Sequence, residues 1–219
     1  MSEVIAPVEA LSPGADADGA PVDKRTRTVA STAKWLAVSL GSLLSVGLGW
    51  AGLYLAVLHS GGNFSAVVPG ELYRSAQPTA VRIAEYQQNY GIKTIVNLRG
   101  ENIGSDWYDT EVAEARKLGI AHVNFRMSAR REMTPEQFTQ IVDLLQKAEK
   151  PVLVHCKSGS DRSGLVSALY VAAIARMGEE AAESQISFRY GHISLPISAP
   201  YAMDRSFEAL EPALGFPNS

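Results

Sequence analysis

"VLVHCKSGSDRSGLV", residues 152–166, passes from an apolar run through a short polar loop into a second apolar run. It holds the single cysteine of the chain, Cys156, with Arg162 six positions later. The run before the loop lacks the polar alternation of a half-solvated strand, which is the pattern of a buried central strand. The run after it, "SGLVSALYVAAIARMG" (163–178), reads as a mostly apolar helix closed by Gly178. A strand handed to a helix across a glycine-bearing loop is the repeating unit of parallel α/β sheets.

The flanking sequence continues that alternation. "ELYRS" (71–75), "IKTIVNL" (92–98) and "IAHVNFRM" (120–127) read as strands. Between them, "TAVRIAEYQQNY" (79–90) and "DWYDTEVAEARKLG" (106–119) read as helices stopped at Gly91 and Gly119. "TPEQFTQIVDLLQKAEK" (134–150) opens with Thr134 as N-cap, Pro135 at the first helical position and Gln137 completing a capping box. Further helical material, "EEAAESQISFRYG" and "PYAMDRSFEALE", closes the chain. The expected fold is α/β, with a central, mostly parallel sheet flanked by helices and a ligand beyond the carboxyl ends of the strands.

The first sixty residues differ in composition. Residues 1–33 are rich in Ala, Pro, Asp, Gly and Ser and read as a disordered tail. Trp35–Leu58 carries no charge, and a span of 34–58 is long enough to cross a bilayer as one transmembrane helix. Lys24, Arg25, Arg27 and Lys34 precede it, and the next Lys or Arg is Arg74. The positive-inside rule then places the N-terminus in the cytoplasm and the rest in the periplasm or another extracytoplasmic space. The long leading segment and the length of the apolar run favour an uncleaved anchor in the inner or plasma membrane over a cleaved signal peptide. Gly41, Ser45 and Gly49 form a small-residue row through which two such helices can pair weakly as a homodimer. Residues 59–69 read as a linker and 70–219 as the catalytic domain. A net charge of −3 over 219 residues gives no drive toward nucleic acid, and one cysteine excludes an internal disulfide or a cysteine-based zinc site.

The loop has its own chemistry. Small residues at Ser158, Gly159 and Ser160 let successive N–H groups turn into an anion-binding nest. The helix N-terminus that follows favours an anion as well. Arg162 offers a planar fork that matches two phosphate oxygens. In such a cradle a cysteine side chain acts as a thiolate nucleophile.

"HCKSGSDRSG" (155–164) resembles the H-C-x5-R-S/T signature of the cysteine-dependent protein tyrosine and dual-specificity phosphatases. With "GELYRSAQPT" and "IKTIVNLRGEN", the resemblance is to the small bacterial dual-specificity-type branch, similar also to plant and fungal atypical phosphatases, and covers Gly70–Met177. It implies that Cys156 attacks phosphorus to form a phosphocysteine. Arg162 and the amides of 157–162, hence Lys157, Ser158, Gly159 and Ser160, would hold the oxygens. Ser163 would assist departure of the thiolate, and His155 would sit behind the loop and tune it. The resemblance implies no cofactor and no metal, because Arg162 and the loop amides neutralise the phosphate charge.

The sequence departs from that family at the proton donor. The stretch before the fourth helix reads "SARREMT" (128–134), where the family has an Asp on a separate loop, and Glu132 is its only carboxylate. Asp161, directly before Arg162, is the first candidate for general acid, an arrangement similar to the myotubularin lipid phosphatases; Glu132 is the alternative. Arg130 and Arg131, with Lys157, give the mouth more positive charge than a phosphotyrosine needs. Arg99 and Arg74 either line the pocket or pair with Glu101 and Glu71. His192 reads as a helix-end residue packed on its neighbours. The expected function is a membrane-anchored phosphomonoesterase acting on envelope molecules such as lipid-linked phosphate. The alternatives are a signalling tyrosine or dual-specificity phosphatase and a catalytically silent binder of phosphorylated ligands.

Overall fold

The computed structural model describes residues 24–216. The chain divides into two compact units, 1–50 and 51–219. Helix α1 (Lys24–Ser60) begins inside the stretch expected to be disordered, and residues 1–23 of that stretch lie outside the described residues. Its portion Val38–Ser60, mean hydropathy 1.6, is long and apolar enough to cross a membrane.

In the second unit, five strands form one sheet in the order β1-β2-β5-β3-β4. They are β1 (Ser65–Val68), β2 (Leu72–Ser75), β3 (Thr94–Asn97), β4 (Ala121–Asn124) and β5 (Val152–His155). Every pairing is parallel except β1 with β2. Strand β1 lies within the stretch 59–69 expected to be a linker. Its four residues are flanked by Gly61, Gly62, Pro69 and Gly70, so the turn signals around it mask a strand this short.

Strand β5 is central, with Val154 level with Arg74 of β2 and Val96 of β3. All four of its residues are buried, which explains its uninterrupted apolar run. Alternation sorts the strand residues onto two faces. Leu72, Val96, Val152 and Val154 pack with residues of α4 (Pro135–Lys147), α5 (Asp161–Leu169), α6 (Glu179–Glu183) and α7 (Ala202–Leu214). Tyr73, Ile95 and Leu153 pack with residues of α2 (Ala80–Tyr90) and α3 (Asp106–Lys117). This two-faced cover holds the carboxyl end of β5 rigidly at the place where Cys156 follows it.

The expected capping box is present: Gln137 N donates to Thr134 Oγ1 at 3.3 Å, and the Gln137 side chain accepts from Thr134 N at 3.1 Å. Helix α4 supplies Ile141 and Leu145 to the core. Thr134→Ala should therefore lower stability by about 1 kcal/mol, seen as a shifted urea midpoint with an unchanged slope. An unaltered midpoint would mean that the box contributes nothing.

Candidate active site

Cys156 is 1% exposed and sits at the mouth of α5. Its Sγ accepts from Gly159 N at 3.2 Å and lies 3.5 Å from Ser163 Oγ. Four successive carbonyls of the loop, those of residues 157–160, are tied to groups outside it. Lys157 O accepts from Gln77 N at 3.3 Å and Ser158 O from Asn63 Nδ2 at 3.0 Å. The Arg74 Nη2 donates to Gly159 O and Ser160 O, both at 2.9 Å. In a trans peptide the C=O and the following N–H point in opposite directions. Fixing four successive carbonyls outward therefore turns the amides of 158–161 toward the thiol side, as Gly159 N shows.

Arg74 is fully buried rather than lining a pocket, and Glu71, one of its expected partners, accepts instead from Tyr170 Oη at 2.6 Å. The Arg74 guanidinium also donates to Gln185 O at 2.7 Å and lies 4.0 Å from the Tyr190 ring centre. Burial lowers its pKa to about 10, opposed by the fields of Tyr190, Cys156 and Asp161, so it remains a cation at neutral pH. Gly159 has φ +75°, and a Cβ there would stand 2.6 Å from Ala76 N. Only glycine lets the loop approach β2 this closely.

Behind the loop, His155 Nε2 is 2.9 Å from Glu111 Oε1, and His122 Nε2 is 2.7 Å from the same oxygen. The Gln77 amide donates to the other Glu111 oxygen. Burial alone would raise the Glu111 carboxyl, but the hydrogen bonds and charges of His122 and His155 outweigh it and hold the group at about 2. Gln77 in turn accepts from Arg99 Nη1 at 2.8 Å, and the Arg99 guanidinium lies 3.4 Å from the Trp107 ring centre. Burial and the nearby Arg162 both lower the Arg99 pKa. Arg99 thus pairs with Gln77 and Trp107; the expected partner Glu101 instead accepts from Arg126 through its backbone carbonyl.

A cleft of about 530 Å³ opens beside Arg162, lined also by Arg99, Arg126, Arg131, Glu132 and Gln137. Arg162 Nη1 reaches Leu98 O at 3.4 Å, while its Nε is buried without a protein acceptor, a donor left for an oxyanion. Arg130 and Lys157 are exposed and do not line this cleft. Arg126, four residues before Arg130, does, and its place at the end of the strand run 120–127 was the available signal. Glu132 Oε1 accepts from Arg205 Nε at 2.6 Å.

Asp161 does not line the cleft. Its Oδ1 lies 2.8 Å from His192 Nδ1, and His192 Nε2 lies 2.8 Å from Asp204 Oδ2. His192 is therefore not a merely packed histidine: it joins the first residue of α5 to α7. Burial would lower its pKa, but the two carboxylates outweigh burial and raise it. A histidine whose folded pKa is raised adds stability that is complete below its unfolded value, about 6.5, and disappears as pH rises through the folded value. Wild type should therefore lose stability over that rise in pH, and His192→Gln should not. Parallel melting-temperature curves across pH for the two proteins would refute the clamp.

A family model described as DSP-PTPase phosphatase fused to NAD+ kinase matches residues 57–194. The chain is similar to P. aeruginosa TpbA, at 25% identity over 71% of this chain and 92% of that one, TM-score 0.56. It shares its fold with a cysteine-to-serine TpbA in complex with phosphotyrosine, at 24% identity over 73% and 93%, TM-score 0.56. The same holds for the core catalytic domain of the PP-IP phosphatase SIW14 from S. cerevisiae in complex with citrate, at 19% identity over 71% and 94%, TM-score 0.52. With its thiol at the strand-to-helix turn, held by the Gly159 amide, and Arg162 six residues on, the chain belongs to this family of cysteine-dependent, dual-specificity-type phosphatases and is a phosphoric monoester hydrolase of the protein-tyrosine-phosphatase kind.

Proposed function

We propose that this phosphatase is tethered to a membrane by α1 and removes phosphate from a polyanionic molecule, with lipid-linked phosphate of the cell envelope as the substrate class. The observation that carries the reading is the convergence of Arg99, Arg126, Arg131 and Arg162 on one cleft. A single phosphoryl group is served by one bidentate arginine and the loop amides. Three further guanidiniums suit a ligand with additional negative charge. The membrane part of the reading is supported by the apolar Val38–Ser60 and by the basic residues before it, which favour an extracytoplasmic catalytic unit.

In this mechanism Cys156 Sγ attacks phosphorus and the bond to the leaving oxygen breaks, giving a phosphocysteine. The loop amides and Arg162 hold the three equatorial oxygens, where charge develops. Water then displaces the thiolate, which Ser163 Oγ, 3.5 Å away, receives with a hydrogen bond. His155, fixed by Glu111, backs the loop from the sheet side. Cys156→Ser should abolish phosphate release from p-nitrophenyl phosphate; turnover surviving that change would favour a different nucleophile.

For the proton donor, the geometry favours Glu132 over Asp161. Glu132 is on the cleft wall, and its pairing with Arg205 is solvent-exposed at 44% and 52% side-chain accessibility, a class of ion pair that holds its members weakly. Asp161 Oδ1 is engaged by His192 Nδ1 at 2.8 Å, and Asp161 is not among the residues lining that cleft. Glu132→Gln should cost roughly 10²-fold or more in kcat on alkyl phosphates and little on aryl phosphates, whose leaving groups need no proton. Asp161→Asn should slow both classes alike by loosening the loop. A selective alkyl defect in Asp161→Asn, with Glu132→Gln unimpaired, reverses the assignment.

Substrate class is read from Arg126→Ala and Arg131→Ala. Each should raise KM for a phosphorylated lipid about 10-fold, equivalent to one lost charge-assisted contact, and leave p-nitrophenyl phosphate unaffected. The second reading, phosphotyrosine, is favoured by the phosphotyrosine-bound TpbA neighbour. Faster turnover of phosphotyrosine peptides than of every phospholipid in a release panel would select it.

A further inference from the structure

The segment between Arg189 and Asp204 contains no Lys, Arg, Asp or Glu. It exposes Ile193, Leu195 and Ile197, the last at 97%, and Phe188, just ahead of Arg189, is exposed as well. All five residues of 193–197, "ISLPI", are exposed, including three large apolar side chains. The segment also rests against the last turns of α1. Tyr54 stacks on Phe188 with ring centres 5.7 Å apart and donates its hydroxyl to Arg189 O at 2.7 Å. Beside it, Gly191 packs so that a Cβ there would stand 3.4 Å from Leu55 and 3.9 Å from Leu58.

We propose that Phe188–Ile197 is a lipid-contacting surface, seated in the bilayer interface where α1 leaves the membrane. The inference rests on the reading of α1 as an anchor. The occupant is lipid for three reasons. The patch is continuous, through Tyr54 and Phe188, with a helix whose own apolar side chains need a bilayer. Tyr54, 39% exposed, is of the aromatic type that collects at the headgroup level. The exposed Arg189 borders the apolar stretch and suits an anionic headgroup.

The position of this surface matters for the site. Ile193 directly follows His192, whose ring joins Asp161 and Asp204, while Tyr190 O and Ser158 O share the Asn63 amide at 2.8 and 3.0 Å. The residues proposed to meet lipid are thus one residue away from those that hold the phosphate-binding loop.

The test uses the full chain in nanodiscs of mixed phosphatidylcholine and phosphatidylglycerol, in a Cys156→Ser background. A nitroxide is attached at Ile197→Cys, at Leu48→Cys within the apolar stretch, and at Ile103→Cys, a site 77% exposed on the catalytic unit. Relative collision rates with oxygen and with a water-soluble nickel chelate report depth. The expected result is a lipid-like ratio at 197 and 48 and a water-like ratio at 103. A water-like 197 with a lipid-like 48 overturns the docking and leaves the anchor standing. A water-like 48 removes the anchor, and the docking with it. A label at 197 shielded from both reagents means that protein covers the patch, and also overturns the proposal. Separately, Leu195→Ser with Ile197→Ser should leave turnover of p-nitrophenyl phosphate unchanged and lower nitroxide depth at a label on Phe188→Cys; unchanged depth counts against lipid contact.

Discussion

The buried guanidinium of Arg74 is the constraint on which the site depends. One nitrogen of it fixes two successive loop carbonyls, Gly159 O and Ser160 O, and another fixes Gln185 O. Backbone carbonyls left to themselves would lie on either side of such a loop, and some would face the bound anion with their negative ends. By committing them outward, Arg74, Asn63 and Gln77 leave the amide edges facing the thiol. The donors are then in place before substrate arrives, so no reorganisation is needed as charge develops on phosphorus. Placing a cation in the sheet is costly, as its lowered pKa records. That cost is tolerated because the guanidinium makes hydrogen bonds to three buried backbone carbonyls.

A second buried charge, Glu111, balances the first from the opposite face. It joins His155 behind the thiol, His122 toward the outer edge of the sheet, and Gln77, which holds Arg99. The network therefore connects the back of the catalytic loop to the arginines at its mouth. Such a cluster of like charges is self-repelling, and the lowered Arg99 shows the repulsion from Arg162 together with burial. The flat face of Trp107 and the Gln77 amide keep Arg99 in position against that repulsion. The proposed polyanionic substrate would relieve that repulsion on binding.

Local signals in the sequence anticipate local structure well. The capping box at Thr134, the four-residue core of "PVLVHC" and the Cys156–Arg162 loop each depend on residues adjacent in the chain. What could not be read depends on the strand order. Arg74 reaches Gly159 only because β2 is the neighbour of β5, and Glu111 reaches His155 only because α3 covers the face of β3 and β5. These pairings join residues 85 and 44 positions apart, with no periodicity or motif to announce them. His192 shows the same limit: flanked by glycine and isoleucine, it looks like packing until α7 brings Asp204 to its other nitrogen.

Asp161, the first candidate for general acid in the sequence, has a structural account as well. It is the first residue of α5, where a carboxylate is favoured by the free N–H groups and dipole of the helix start. An acid placed there to deliver a proton would need to face the leaving oxygen, and its Oδ1 is engaged by His192 Nδ1 at 2.8 Å. The Asp161–His192–Asp204 chain acts instead as a joint between the start of α5, the segment 188–197 and α7. A joint of that kind suits a loop whose amides must hold their aim, and the proposed acid, Glu132, instead borders the cleft and pairs with the exposed Arg205. On the proposed reading, the identity of the residue before the arginine reflects how the loop is braced, rather than how the leaving group is protonated.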